Sequence, residues 1–263
     1  MPKRLQLKRA LWSASFFGFC LLPLALQADC APENIDAEVR VTKVFDGDTV
    51  LLHDGRHLRF IGINTPERAR QEKAAEPLAE TATRRLKTLL KASRNSLRLR
   101  YGTVRQDHYG RLLAHPFLTD GRNLTELLLQ EGLGARIVIP PNLWGQDCYR
   151  KAEQSARGQH RGLWNIPYFR PRRSGTLTPD TTGFRRVTGS VSRIGESRSA
   201  LWLNLGRGFA LRLPKKDLHY FTSPPRQLAG KTLTVRGWVY YVENKHELRM
   251  NLRHPGMIEA VSP

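Results

Sequence analysis

Three short runs near the start of the chain, residues 38–44, 49–53 and 57–63, are either rich in β-branched residues or alternate between apolar and polar, and are separated by the pairs Asp46-Gly47 and Asp54-Gly55. Period-two runs rich in β-branched residues and bounded by Asp-Gly predict strands joined by tight turns. Pro77 then opens a stretch in which Leu78, Ala82, Leu86, Leu89 and Leu90 share one side of a 3.6-residue period, which predicts a helix with proline in its first turn. Residues 96–101 return to alternation, with Leu97, Leu99 and Tyr101 on one side and Arg98 and Arg100 on the other, and residues 112–118 follow as the partner strand after a turn at Gly110. Asn123 with Glu126 three residues on resembles a capping box, and the helix it starts runs through Leu124, Leu127 and Leu128 to a stop at Gly132. A last helix is expected over about 143–157. The sum is a small β-sheet or barrel with three helices packed outside it.

Residues 169–183 are rich in Pro, Gly, Ser and Thr and have no apolar period, so they read as a linker. Beyond it, residues 184–263 are almost entirely strand-like, with runs at 187–193, 200–205, 209–213, 232–241 and 247–252 and a helix expected near 215–221. Five short strands suggest a second barrel of the OB type. The expected class is therefore mainly β with helices (α+β), divided as residues 29–168, a linker at 169–183 and a basic β domain at 184–263. In that second domain Arg207, Arg212, Arg236, Arg249 and Arg253 stand among Trp202, Phe209, Trp238, Tyr240 and Tyr241. Such a set forms either a surface that stacks bases and tracks phosphates or an aromatic core with arginines outside.

Charge changes the picture next. The 263 residues carry 43 Lys and Arg against 23 Asp and Glu, a net +20, while 40% hydrophobic residues leave material for cores and exclude disorder throughout. A balance this basic points to a polyanion partner. Lys3, Arg4, Lys8 and Arg9 precede an uncharged run over 10–28 that ends in Leu-Gln-Ala, so residues 1–28 read as a signal peptide cleaved after Ala28. An uncleaved anchor is the alternative. Without that segment the chain remains strongly basic, is expected in the periplasm or outside the cell, and is expected to have no stable membrane association. Cys20 leaves with the signal, and Cys30 and Cys148 remain, which in an oxidising compartment are expected to pair as a disulfide; two unpaired thiols are the alternative.

Three clusters carry candidate chemistry: residues 45–49 (Phe-Asp-Gly-Asp-Thr), 58–67 (Leu-Arg-Phe-Ile-Gly-Ile-Asn-Thr-Pro-Glu) and 107–111 (Asp-His-Tyr-Gly-Arg). Each alone has an ordinary explanation as a turn or a strand end. Phosphodiester hydrolysis needs guanidiniums that grip an anion gaining charge, a hard cation, and a carboxylate that orients or deprotonates water. Arg59, Arg111, Asp48 and Glu67 supply these types in order. Arg59 lies between Leu58 and Phe60, so its side chain leaves the opposite strand face.

Together the clusters resemble the staphylococcal nuclease (thermonuclease, SNase-like) family over roughly residues 39–164, with Leu112-Leu113-Ala114, Gln130-Glu131-Gly132-Leu133 and a closing stretch from Ala152-Glu153 to Trp164 in register. The resemblance implies an OB barrel with three helices and a calcium-dependent endonuclease acting on DNA and RNA with little sequence specificity, leaving 3′-phosphate ends. It implies Asp48 as a calcium carboxylate, Thr65 as a carbonyl facing the metal, Glu67 as general base, and Arg59 and Arg111 as phosphate-binding arginines. His108 and Tyr109, beside Arg111, are the expected nucleic-acid contacts. The family usually has Asp where this chain has Asn64, which would leave the metal one negative ligand fewer while keeping an amide oxygen. The tyrosines that stack on nucleotide in the best-known member have no match at Val138 or Pro140. A binding module that keeps the fold and has lost hydrolysis is the rival from another class.

Overall fold

The computed structural model describes residues 30–263 apart from Arg70 and Glu72; the expected signal peptide, residues 1–28, lies outside the described residues. The first half is built from β1 (Ala37–Val44), β2 (Thr49–Leu52), β3 (His57–Phe60), β4 (Ile63–Asn64), α1 (Ala79–Ala92), β5 (Ser96–Gln106), β6 (Leu112–Phe117), α2 (Leu124–Gln130), β7 (Ala135–Arg136) and α3 (Gln146–Gly158). Five of these strands close into a barrel in the order β1-β2-β3-β6-β5. All neighbours are antiparallel except β3 and β6, which run parallel with Arg59 opposite Leu113. Alternation puts Val50, Leu52, Leu58, Phe60, Leu97, Leu99 and Leu112 inside, where they meet Leu86 and Leu90 of α1 and Leu124 and Leu128 of α2.

The local signals act much as the sequence predicts. Asn123 caps α2 by accepting the Glu126 backbone N–H at 3.1 Å. Pro77 precedes α1, but the helix proper starts two residues later because Leu78 takes a left-handed conformation, φ 71°. α3 starts at Gln146 rather than near 143, because Gly145 at φ 74° turns the chain just before it. Cys30 and Cys148 are brought together with their Cα atoms 5.7 Å apart, a separation a disulfide spans.

The second half contains β8 (Arg172–Arg173), β9 (Gly183–Ser190), β10 (Arg193–Glu196), β11 (Ala200–Asn204), β12 (Phe209–Pro214), β13 (Thr232–Val242), β14 (Glu247–Asn251) and β15 (Ile258–Ser262). Its strand order is β10-β11-β12-β14-β13-β9-β8, with β15 added beside β13. β9 and β10 are separated by Val191 and Ser192 alone, so the path from β10 through β14 and β13 returns to what is nearly one bent strand. With β12 and β14 parallel, as β3 and β6 are, this is the same circuit as the first barrel. Two successive halves of the chain thus adopt one OB-like topology. The stretch 215–221 forms a 3-10 helix, Lys215–Tyr220.

The halves share packing. The second core, built on Val187, Leu203, Leu211, Val235 and Met250, continues into Ala135, Ile137, Val138, Leu163 and Phe169 of the first half. Within the region expected as a linker, Arg172–Arg173 pairs in parallel with β9. Of the ten aromatic and arginine residues that could form either a stacking surface or a core, Phe209 fills the core, and Arg236 is buried against α3, where it meets Glu153 at 2.6 Å. Among the described residues no helix is long and apolar enough to cross a membrane.

Candidate active site

The turn between β1 and β2 carries two carboxylates. Asp46 Oδ1 accepts the Asp48 backbone N–H at 3.0 Å, the local bond that lets an aspartate close a turn on itself. Gly47 sits between them because nothing larger fits: a Cβ there would stand 2.8 Å from both the Ala82 Cβ of α1 and the Thr65 Cγ2. The close approach lets Asp48 reach the strand-end segment of β4. Asp48 Oδ2 accepts the Thr65 backbone N–H at 2.7 Å and Oδ1 accepts the Thr49 hydroxyl at 3.0 Å.

Arg59 enters from β3 and binds this group from below. Its Nη1 donates to the carbonyls of Phe60 and Ile63, each at 2.8 Å, and lies 3.2 Å from Asp48 Oδ1; its Nη2 donates to Asn64 Oδ1 at 3.2 Å. The two carbonyls fix the planar fork, so the guanidinium is held rather than swinging in solvent, with the residue 8% exposed. Asp48, Arg59, Asn64 and Thr65 are therefore brought together and buried.

Asp46 belongs to the same cluster, although the Asp-Gly pair it opens predicts only a tight turn. Burial first, and the negative charge of Asp48 second, push its carboxyl up to about 7, against the opposing charge of Arg59. Two buried carboxylates facing one guanidinium leave an excess of negative potential. The Asp-Gly-Asp spacing was the available signal, since a second acid two residues before Asp48 is more than a tight turn requires.

The donors suit a hard cation. Asp46, Asp48, the Asn64 amide and the Thr65 carbonyl offer oxygen only, and the Thr65 Oγ1 beside them is buried without a hydrogen-bond partner. Among the described residues no group of three or more His, Cys, Asp or Glu side chains is gathered as a preformed cage. The residues fit a cation held by few charges and several neutral oxygens.

Glu67 follows one residue after Pro66, exposed on the segment that leaves this cluster. Its charge adds to the pressure on Asp46, so it acts on the same field. Its backbone N–H donates to Glu76 Oε2 at 3.1 Å, and its carbonyl accepts the Glu76 N–H at 2.8 Å. Glu76 went unnoticed in the sequence because it reads as an ordinary acid before a helix-starting proline.

Arg111 stands just before β6, two positions ahead of the Leu113 that pairs with Arg59. Its Nε donates to Asp107 Oδ2 at 2.7 Å, while Asp107 Oδ1 accepts the N–H groups of Tyr109 and Arg111. Burial raises the Asp107 carboxyl, but the hydrogen bonds and charge of Arg111 outweigh it and hold the group below its ordinary value. His108 and Tyr109 sit at the tip of the same hairpin with ring centroids 3.8 Å apart, and Tyr109 is 73% exposed. This pair is apart from the buried cluster and open to a ligand.

Comparison with known proteins meets this geometry. Residues 57–166 match the family model described as staphylococcal nuclease homologue. The chain is 32% identical over 160 residues to the SPbeta prophage-derived endonuclease YokF of Bacillus subtilis, covering 58% of this chain and 53% of the relative. It is 34% identical over 132 residues to Endonuclease YncB of the same organism, covering 48% and 61% respectively. To the thermonuclease of Staphylococcus hyicus it is 32% identical over 130 residues, covering 48% of this chain and 75% of the relative. The chain thus spans about half to three-fifths of the length of the two Bacillus relatives.

Proposed function

Because this chain belongs to the staphylococcal nuclease family, we propose that it is an endonuclease that hydrolyses phosphodiester bonds of DNA and RNA with little sequence specificity. The observation that carries this reading is the buried contact of Asp48, Arg59, Asn64 and Thr65, a carboxylate and a fixed guanidinium beside neutral oxygens. Holding a polyanion needs exposed cations, and this group instead buries a carboxylate beside a fixed guanidinium.

Asp46, Asp48, Asn64 and Thr65 would hold a divalent cation, calcium in this reading. Bound there, the ion would supply positive charge for the phosphate in flight. Glu67 takes the proton from a water molecule on its carboxylate, the water oxygen adds to phosphorus, and the bond to the 5′-oxygen breaks. Arg111 donates N–H groups to the phosphate as charge grows on the leaving side, and the departing 5′-oxygen takes a proton from solvent water to end as a hydroxyl, so the products carry 3′-phosphate. Arg59 keeps Asp48 and the β4 carbonyls in register and presents fixed positive charge beneath the phosphate. His108 and Tyr109 offer rings for an unpaired base to stack on.

Residues 1–28 have the charge and apolar pattern of an export signal, so the protein is proposed to act in the periplasm or outside the cell. In that compartment Cys30 and Cys148 would be oxidised to a disulfide, given their 5.7 Å Cα separation. Plasmid DNA and an unstructured RNA, each incubated with purified protein in calcium, magnesium and chelator, test the activity. The expected result is cleavage of both with a divalent ion, none in chelator, and fragments that polynucleotide kinase shows to end in 3′-phosphate. Retention of both nucleic acids on the protein without cleavage under every ion would overturn the reading in favour of a binding module.

A further inference from the structure

Glu67 is anchored by a clamp whose outer end belongs to the second barrel. The chain leaves the site at Glu67 and returns at Glu76, and two bonds close this excursion at its base. One is the backbone bond from Glu76 N–H to the Glu67 carbonyl, 2.8 Å; the other runs from Glu67 N–H to the carboxylate of Glu76, 3.1 Å. The second holds only while the Glu76 side chain keeps its rotamer. Its other oxygen, Oε1, accepts the Tyr168 hydroxyl at 2.8 Å and the Arg185 Nη1 at 3.1 Å.

Arg185 is itself fixed. Its Nη1 also donates to the Phe184 carbonyl at 2.8 Å, and its guanidinium lies 5.3 Å from the centre of the Tyr168 ring. The Arg185 and Glu76 side chains are 16% and 19% exposed, so their attraction is screened less than that of a surface pair. Burial, and then the bond to Glu76, raise the Tyr168 hydroxyl above its ordinary range, so it stays protonated and able to donate. Asn64, Pro66, Glu76, Tyr168 and Phe184 also line one small cavity, which puts the second barrel against the segment leading into Glu67. Tyr168 and Arg185 lie beyond residues 57–166, outside the part matched by the family model. Of the clamp, Arg185 on β9 belongs to the second barrel, while Tyr168 ends the first body and Glu76 lies within the matched part.

We propose that Arg185 and Tyr168 are positioning residues that act through Glu76 to fix the segment carrying Glu67, so that the second barrel sets the geometry of the reaction. This rests on the reading of Glu67 as the general base. A base held within hydrogen-bond reach of its water works far better than one that wanders, and a displacement of about 1 Å can cost on the order of a hundredfold in rate. A pair that merely glued the barrels together would change stability and leave turnover alone.

The test uses the full-length protein with Arg185→Ala, Arg185→Lys and Tyr168→Phe, read in two ways. Amide hydrogen exchange of the peptide covering residues 66–78 should quicken roughly tenfold in Arg185→Ala while strands β1–β3 keep their protection. On nucleic acid, kcat should fall by about tenfold or more with KM within about twofold, Tyr168→Phe should fall less, and Arg185→Lys should recover part of the loss. Unchanged exchange in Arg185→Ala would overturn the clamp. Faster exchange with kcat intact, in a wild type that cuts, would overturn its catalytic part. A wild type that does not cut under any ion would sink the nuclease reading, and the exchange result would still decide whether the second barrel holds this segment.

Discussion

Arg236 of β13 and Glu153 of α3 form an ion pair across the junction of the two barrels, 2.6 Å from Nη1 to Oε1, with the residues 1% and 3% exposed. Glu153 Oε1 also accepts the Arg136 backbone N–H at 2.7 Å, and Glu259 lies 2.9 Å from Arg157 and is gripped by Arg186. The side chains of Arg236, Arg157 and Arg186 and the Arg136 backbone N–H thus meet two glutamates at a largely buried junction. Removing one partner of such a pair leaves a charge without its counterpart, which typically costs about 3 to 5 kcal/mol. Arg236→Ala is expected to lower stability by at least about 3 kcal/mol in urea unfolding. A loss under about 1 kcal/mol would mean that Arg136 and Arg157 satisfy Glu153 by themselves.

The shared core makes a related prediction about truncation. Ala135, Ile137, Val138, Leu163 and Phe169 pack with Phe184 and Val187, so a chain ending at residue 183 exposes them. The truncated protein is expected to melt at a lower temperature and to bind a hydrophobic dye such as ANS. If it melted as high and as sharply as the full chain, each barrel would hold its own core.

The parts of the molecule legible in the sequence are those fixed by local pattern. Asp-Gly pairs mark the first turns, the Asn123 cap marks α2, and the order Asp48, Arg59, Asn64, Thr65 marks candidate chemistry, which the turn and the neighbouring strands bring together and bury. What local pattern does not carry is which outer face another element covers. Arg236 sits on a strand with Leu233 and Val235 inside, so alternation sends it outward, and only the docking of α3 makes outward mean buried. β10 and β15 have no fully buried residue, so no inward period marks them in the sequence. Glu76 needed Arg185, more than 100 residues away, to acquire a role.

Glu67→Gln and Arg111→Ala are expected to lower turnover by roughly a hundredfold or more while leaving nucleic-acid affinity within a few fold. Glutamine keeps the shape of Glu67 and cannot take a proton. Arg111 is held by Asp107 at 2.7 Å, so its loss removes a guanidinium whose position the hairpin fixes. Single-turnover cleavage together with filter binding in chelator separates the two effects. Near-wild-type cleavage by either variant, with folding intact, would remove that residue from the mechanism.

His115 gives the fold an acid-side weakness. It is fully buried on β6, with Nδ1 2.8 Å from the Tyr149 hydroxyl and its ring against Trp144. Burial first, and the positive charge of Arg100 second, push its pKa down to about 3 from the ordinary 6.5. Between those values the unfolded chain binds a proton that the folded one refuses, so stability is complete above about pH 6.5 and falls as the pH drops toward 3. The slope from this one group is at most about 1.4 kcal/mol per pH unit. His115→Gln, which keeps a partner for Tyr149, should show a shallower loss between pH 6.5 and 4.5 in urea unfolding. Equal slopes in the two proteins would mean that His115 is protonated in the fold.

Asn64 is where this cluster can be tuned by one atom. Its Oδ1 accepts from Arg59 Nη2 at 3.2 Å and its Nδ2 donates to the Thr65 carbonyl at 3.4 Å, so the amide is tied to both the guanidinium and a proposed metal donor. Asn64→Asp adds a negative charge beside Asp48 and withdraws the amide donor from the Thr65 carbonyl. Both changes favour a cation, because a carboxylate at contact distance in a partly desolvated site attracts it strongly. The gain is limited by Arg59, whose charge already sits 3.2 Å from both Asp48 Oδ1 and Asn64 Oδ1 and would partly neutralise the new anion. The expected result is calcium binding tightened by roughly tenfold, about 1.4 kcal/mol, in isothermal titration without nucleic acid. The calcium needed for half-maximal cleavage should fall in parallel. An unchanged calcium affinity, or full cleavage by the wild type in chelator, would mean that Asn64 is not a metal ligand and that Arg59 alone claims its oxygen.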